Sequence, residues 1–109
     1  MNPVTTNIFS DIPDKLSKEF FECIVKKDNI LIERIVSQGH ITSPGQWYNQ
    51  EQDEWVILLQ GQAALLFENN QKLVRLTPGD YLLIPAHTVH RVEWTHPDIN
   101  TIWLAVHLK

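Results

Sequence analysis

Two histidines, His87 and His90, stand three residues apart in the stretch PGDYLLIPAHTVHRVEW, residues 78–94. Neutral imidazole binds zinc, iron, nickel or manganese, and it carries protons near neutral pH. A carboxylate brought against such a pair would complete either a metal site or an acid–base pair. On a strand, residues three apart point to opposite faces, so one ion could take both rings only if the chain turned between them. A helix would also bring them together, but Pro85 and the following RVEW argue against one.

The segments that must position these residues read as strands and turns. ILIERIV, EWVILLQ, QAALLFE, KLVRL, YLLIP, TVHRVEW and TIWLAVHL are rich in β-branched and aromatic residues. Between them lie turn formers: Asn69–Asn70 as a hairpin signal, TPGD ending at Asp80, and THPDIN from Thr95. Turns recur about every ten residues, which predicts an all-β sandwich or barrel. Upstream, Pro3 and Pro13 mark a loose lead-in. In DKLSKEFFECIVKK, Leu16, Phe20, Cys23 and Ile24 fall at helical spacing behind Asp14, a candidate N-cap. The expected organisation is a lead-in with a short helix over residues 1–29 and a β-barrel over 30–109. Strands such as WVILL and YLLI are apolar on both faces, which points to a second copy covering the outside and hence a homodimer.

The chain has 109 residues, enough for one domain with a single core. Its formal net charge is −4 and it has no basic stripe, so nucleic acid is not expected as a partner. No apolar run approaches the ~18 residues of a membrane span. The opening MNPVTTNIFSDIPDK has neither a basic start nor an apolar run, so no secretory signal is read there and no membrane is expected as partner. Cys23 is the sole cysteine, which removes internal disulfides and suits a reducing, cytoplasmic setting. It is expected to be a packed structural thiol. No Ser-His-Asp order, CxxC pair or phosphate-cradling glycine loop offers a rival chemistry.

Glu54 to Gly61 reads E-x6-G, and the stretch from Gly79 reads G-x5-P-x-H-x2-H. These resemble the two motifs of the cupin superfamily, over about residues 30 to 108. The resemblance implies a jelly-roll barrel with one divalent metal (zinc, iron, nickel or manganese) inside. It puts Glu54 and His90 in the places of the family's metal-binding glutamate and second-motif histidine. The first-motif H-x-H pair is missing: its places fall on Tyr48 and Gln50, or on Trp47 and Asn49 with the longer spacer. His87 stands where the family has glycine, which implies a positive φ and supplies the turn needed between the two histidines. His87 could then replace a lost histidine from the rim, and Gln50 could offer a carbonyl oxygen. Tyr48, Trp47 and Trp94 flank the implied cavity and are the expected small-molecule contacts; Trp55 and Trp103 are read as core and dimer packing. His107 is read as a satisfied strand histidine, and Arg91 as one partner of a salt bridge.

Two functional readings follow. One is a metal-dependent enzyme of dioxygenase or isomerase type acting on a small metabolite. The other is a metal-free, non-catalytic barrel that binds or senses a small ligand, with His90 hydrogen-bonded to Glu54 or Tyr48.

Overall fold

Short β-branched and aromatic runs between turn formers become antiparallel strands. The structure, a computed structural model, describes residues 2–109. Among the described residues eight strands form: β1 (Phe20–Lys27), β2 (Ile30–Ser37), β3 (Asp53–Gln60), β4 (Ala63–Phe67), β5 (Lys72–Leu76), β6 (Tyr81–Ile84), β7 (His90–Thr95) and β8 (Thr101–Leu108). A five-stranded sheet runs β1-β2-β8-β3-β6 and faces a three-stranded sheet, β5-β4-β7. The result is the all-β, jelly-roll-type barrel that the sequence implies.

The side-chain period of two sorts each strand into an inner and an outer face. Val56 and Leu58 of β3, Leu65 of β4, Ile84 of β6, and Trp103 and Ala105 of β8 point inward and form the core. The Trp103 indole N–H donates to Ser37 Oγ at 3.3 Å, so its polar edge is satisfied where it is buried. The Asn69–Asn70 signal is the β4–β5 hairpin: Gln71 takes φ 53° and Asn70 Oδ1 accepts from the Lys72 N–H at 3.1 Å. The Pro78–Gly79 turn closes on Asp80, whose carboxylate accepts from the Thr77 N–H at 2.8 Å.

The expected N-terminal helix is absent. Phe20–Lys27 is instead an edge strand, paired antiparallel with β2. The register slips between Cys23 and Val25, a β-bulge that adds one residue to the strand. That extra residue breaks the period-two alternation and leaves apolar residues at spacings that mimic a helix. Cys23 is exposed on this strand, not packed. No helix is long and apolar enough to cross a membrane among the described residues.

Ahead of β1, the chain lies over the outer face of β2. Arg34 holds it there: Nη1 donates to the carbonyls of Ile8 (3.1 Å) and Ser10 (2.6 Å), and Nη2 pairs with Glu22 at 2.7 Å. A buried guanidinium with several oxygen partners is a strong tether.

Candidate functional site

Inward positions of both sheets leave a cavity of about 80 Å³ between them. From the large sheet, β2 contributes Glu33 and Ile35, β3 contributes Glu54 and Val56, and β8 contributes Trp103 and His107. From the small sheet come Leu65 of β4 and His90 and Val92 of β7. Tyr48 and Gln50, from the loop between β2 and β3, and Glu19, just before β1, complete the polar lining. Glu54 and His90 therefore project into one space from opposite sheets, and both are buried, with relative exposures of 8% and 5%.

Local backbone fixes His90. Its strand forms a two-way bridge with Tyr48: the Tyr48 N–H donates to the His90 carbonyl at 2.7 Å, and the His90 N–H to the Tyr48 carbonyl at 3.1 Å. The two rings stack with centroids 5.6 Å apart and planes 28° apart. Phe67 flanks the imidazole at 5.9 Å on β4. His90 Nδ1 lies 2.8 Å from the Thr88 carbonyl oxygen, which can only accept, so Nδ1 carries the proton. Nε2 is then left with a free lone pair. The hydrogen bond expected from His90 to Glu54 or Tyr48 is not made; Thr88 is the partner.

Glu54 has no hydrogen-bond partner among the described residues. Burial pushes its carboxyl above the ordinary range. The nearby His107 and His90 pull it part of the way back, while Glu33 adds to the rise. Burial, with Glu19 and then Glu54 close by, also raises the Tyr48 phenol, which keeps it neutral. Glu19 is raised by burial too, partly offset by the hydrogen bond it accepts from the Ser37 hydroxyl and by His40.

His87 does adopt the left-handed backbone expected of it, with φ 62°. Its N–H donates to the Gln50 carbonyl at 2.7 Å, so it pins the Gln50 loop. Its side chain is exposed, however, and does not line the cavity. Trp47 and Trp94 are likewise exposed and lie outside it. Trp47 stacks on the Arg91 guanidinium at 5.7 Å, and Trp94 tilts against His96. Arg91 pairs with Glu93 at 3.0 Å as expected, but it is buried and also donates to the Thr42 carbonyl at 2.6 Å. It thus braces the loop that carries Tyr48.

Sequence reasoning missed Glu33 and Glu19 and placed His107 outside the site. His107 is satisfied as expected, with Nε2 2.9 Å from Glu33 Oε1, yet it lines the cavity. The signal was parity. Glu33 and Ile35, Trp103 and His107, and Glu54 and Val56 are same-face residues of adjacent strands.

This donor set can be weighed against a divalent metal. Glu54 and His90 Nε2 are strong donors without protein partners. Gln50 is a weak donor, Tyr48 is neutral, and His107 is engaged by Glu33. Although several such side chains line the cavity, among the described residues no three His, Cys, Asp or Glu side chains are placed to hold one ion. A resident zinc or similar transition-metal ion wants three or more strong protein ligands, and only two are free here, so the residues present do not fit one.

Comparison with known proteins agrees with this geometry. The sequence matches the family model described as "Cupin domain" over residues 34–107. The chain is a cupin. Its fold is similar to that of a putative mannose-6-phosphate isomerase from Ralstonia eutropha JMP134, with TM-score 0.93, 40% identity, and coverage of 98% of this chain and 99% of that one. A cupin superfamily protein from Desulfitobacterium hafniense DCB-2 shares 21% identity at TM-score 0.73, covering 89% of this chain and 83% of that one. The protein TT1209 from Thermus thermophilus shares 15% identity at TM-score 0.77, with 95% of each chain covered. The last two likenesses speak to fold alone. No curated protein matches the sequence. Cupins often bind metals, and the missing H-x-H pair accounts for the sparse donor set of this one.

Proposed function

We propose that this cupin binds a small molecule in its barrel and moves protons on it, as an isomerase of hydroxycarbonyl compounds. One observation carries the reading: a buried carboxyl without a partner and an imidazole with a free Nε2 open on the same cavity. In such a reaction His90 Nε2 takes the proton from the carbon beside the carbonyl, and the Glu54 carboxyl gives its proton to the carbonyl oxygen. The enediol so formed then collapses in reverse roles: the His90 imidazolium gives its proton to the former carbonyl carbon, and the Glu54 carboxylate takes the hydroxyl proton from the neighbouring oxygen, which becomes the new carbonyl. No electrons are gained or lost overall. The Thr88 carbonyl supports the transient imidazolium through Nδ1–H. The raised pKa of Glu54 suits it to the acid role near neutral pH.

The similarity to a mannose-6-phosphate isomerase at 40% identity supports isomerase chemistry. A divalent ion here would be held by Glu54 and His90 with only Gln50 besides, so the reading assigns the proton transfers to side chains. We also propose a cytoplasmic homodimer; the free, exposed Cys23 suits a reducing compartment. The outer face of the five-stranded sheet supports pairing: Leu83 sits opposite Trp55, and Trp55 opposite Val106, in one apolar band.

The test is deuterium uptake at the carbon beside the carbonyl, followed by NMR in heavy water. The wild type should exchange that proton on its substrate. Glu54→Gln and His90→Gln should each slow exchange about 10²–10⁴-fold, the usual worth of an acid–base residue. Exchange that survives both changes would remove the proposed roles. A compound that binds without exchanging would leave the protein a binding module.

A further inference from the structure

The cavity has a marked charge character. Three carboxyl groups line it, those of Glu19, Glu33 and Glu54, and no lysine or arginine does. The two buried arginines are committed elsewhere: Arg34 to the lead-in segment and Glu22 on the outer face, Arg91 to loop carbonyls and Glu93. Among the described residues there is no helix, hence no helix start to receive an anion. A phosphate group pushed into this space would meet acidic side chains in a medium that screens charge poorly and would find no lysine or arginine to pair with.

The unmet hydrogen-bonding capacity says what does fit. Glu54 is nine-tenths buried, aims into the cavity and has no protein partner; His90 Nε2 offers a lone pair beside it. A ligand must bring a donor to His90 Nε2 and a group that can both accept from and donate to the Glu54 carboxyl, and a hydroxyl does both. Val56, Leu65, Ile84 and Val92 form the rest of the wall and suit the carbon face of a small molecule. At about 80 Å³ the space is several times smaller than the ~300–1,000 Å³ typical of drug-sized pockets, so it takes a short molecule or one end of a longer one.

We infer that the barrel cavity binds uncharged, hydroxyl-bearing molecules, meaning unphosphorylated sugars and small polyols, and rejects their phosphate esters. The inference rests on the proposed function for the place of the site and goes beyond it in naming the substrate class.

Binding is measured by titration calorimetry at low ionic strength, where electrostatic exclusion is strongest. The compounds are glyceraldehyde, ribose, glucose and mannose, each beside its terminal phosphate ester. At least one uncharged sugar should bind, with its ester at least ten-fold weaker. Glu19→Gln, which keeps the side-chain shape and the Ser37 contact, should narrow that gap. An ester that binds as tightly as its parent, or a panel in which no uncharged sugar binds, overturns the inference. Binding and turnover separate the two claims. An uncharged sugar that binds without proton exchange sinks the isomerase reading and leaves the ligand class standing. An ester that exchanges its proton does the reverse.

Discussion

Glu54 and His107 face each other across β3 and β8, on one rung of the large sheet, and both side chains open on the cavity. The imidazole does not settle the carboxyl, because its Nε2 is 2.9 Å from Glu33. Glu54 therefore sits near two histidines and still has a raised pKa, since burial outweighs both.

A pH-dependent stability follows. A carboxyl raised on folding is easier to protonate in the folded state than in the unfolded one. Its stabilising contribution is present below the unfolded value and is lost as pH rises through the higher folded value. Glu54→Gln removes that loss. The variant should melt higher than wild type at neutral pH, by about 4–8 °C for each kcal/mol gained. The difference should vanish below the ordinary carboxylate range. Thermal melts across acid and neutral pH check this, and a gap that widens on acidification would mean the charged form is favoured.

Much of the site was legible because strand parity is rigid. Once EWVILLQ is a half-buried strand, an inward Val56 forces an inward Glu54, and an inward Val92 forces an inward His90. What could not be read was which strands neighbour one another. β2, β3 and β8 are distant in sequence, so only topology brings Glu33, Glu54 and His107 together. The exposed Trp47 and Trp94 misled for a related reason: closeness to a motif in sequence does not fix which side of the wall a ring occupies. The false helix at β1 came from a bulge, which local spacing cannot distinguish from a helical period.

The two motif glycines differ in what they protect. At Gly61, with φ 88°, a Cβ would lie 2.6 Å from Thr101 Cα and 2.8 Å from the Asn100 carbonyl oxygen. Neither backbone atom can swing away. At Gly79, with φ 94°, a Cβ would meet nothing within 4 Å, so only the backbone preference is lost. Gly79→Ala should cost about 1–2 kcal/mol, the usual penalty of a left-handed non-glycine residue. Gly61→Ala should cost more than ~3 kcal/mol or abolish folding. Urea melts of the two variants compare them directly, and equal losses would contradict the packing at Gly61.

Metal removal should change little. With Glu54 and His90 as the strong unengaged donors, ions should be held weakly. Protein purified without a metal column, then dialysed against a chelator, should keep its melting temperature and its affinity for a bound sugar. Elemental analysis before and after gives the independent reading. A stoichiometric ion whose loss lowers the melting temperature, and which is absent from His90→Ala, would restore a metal-centred site.

The last expectation concerns the outer face of the large sheet. Tyr81 and Leu83 on β6 are exposed, and Trp55 lies beside them, its ring 5.6 Å from that of Tyr81. Val106 and Ile32 carry the apolar band across β8 and β2. A stable pair of copies needs about 800 Å² buried on each, and its centre should be rich in aromatic and aliphatic side chains. Light scattering behind size exclusion should give twice the mass of a 12.7 kDa chain. Leu83→Glu would place a charge at the β6 end of that band, directly beside Trp55, and should shift the mass to the monomer. Because Leu83 is already half exposed, the fold should survive the change, with a circular dichroism spectrum like that of the wild type. A wild type that is monomeric at high concentration, or a dimer indifferent to Leu83→Glu, would place the interface elsewhere or remove it.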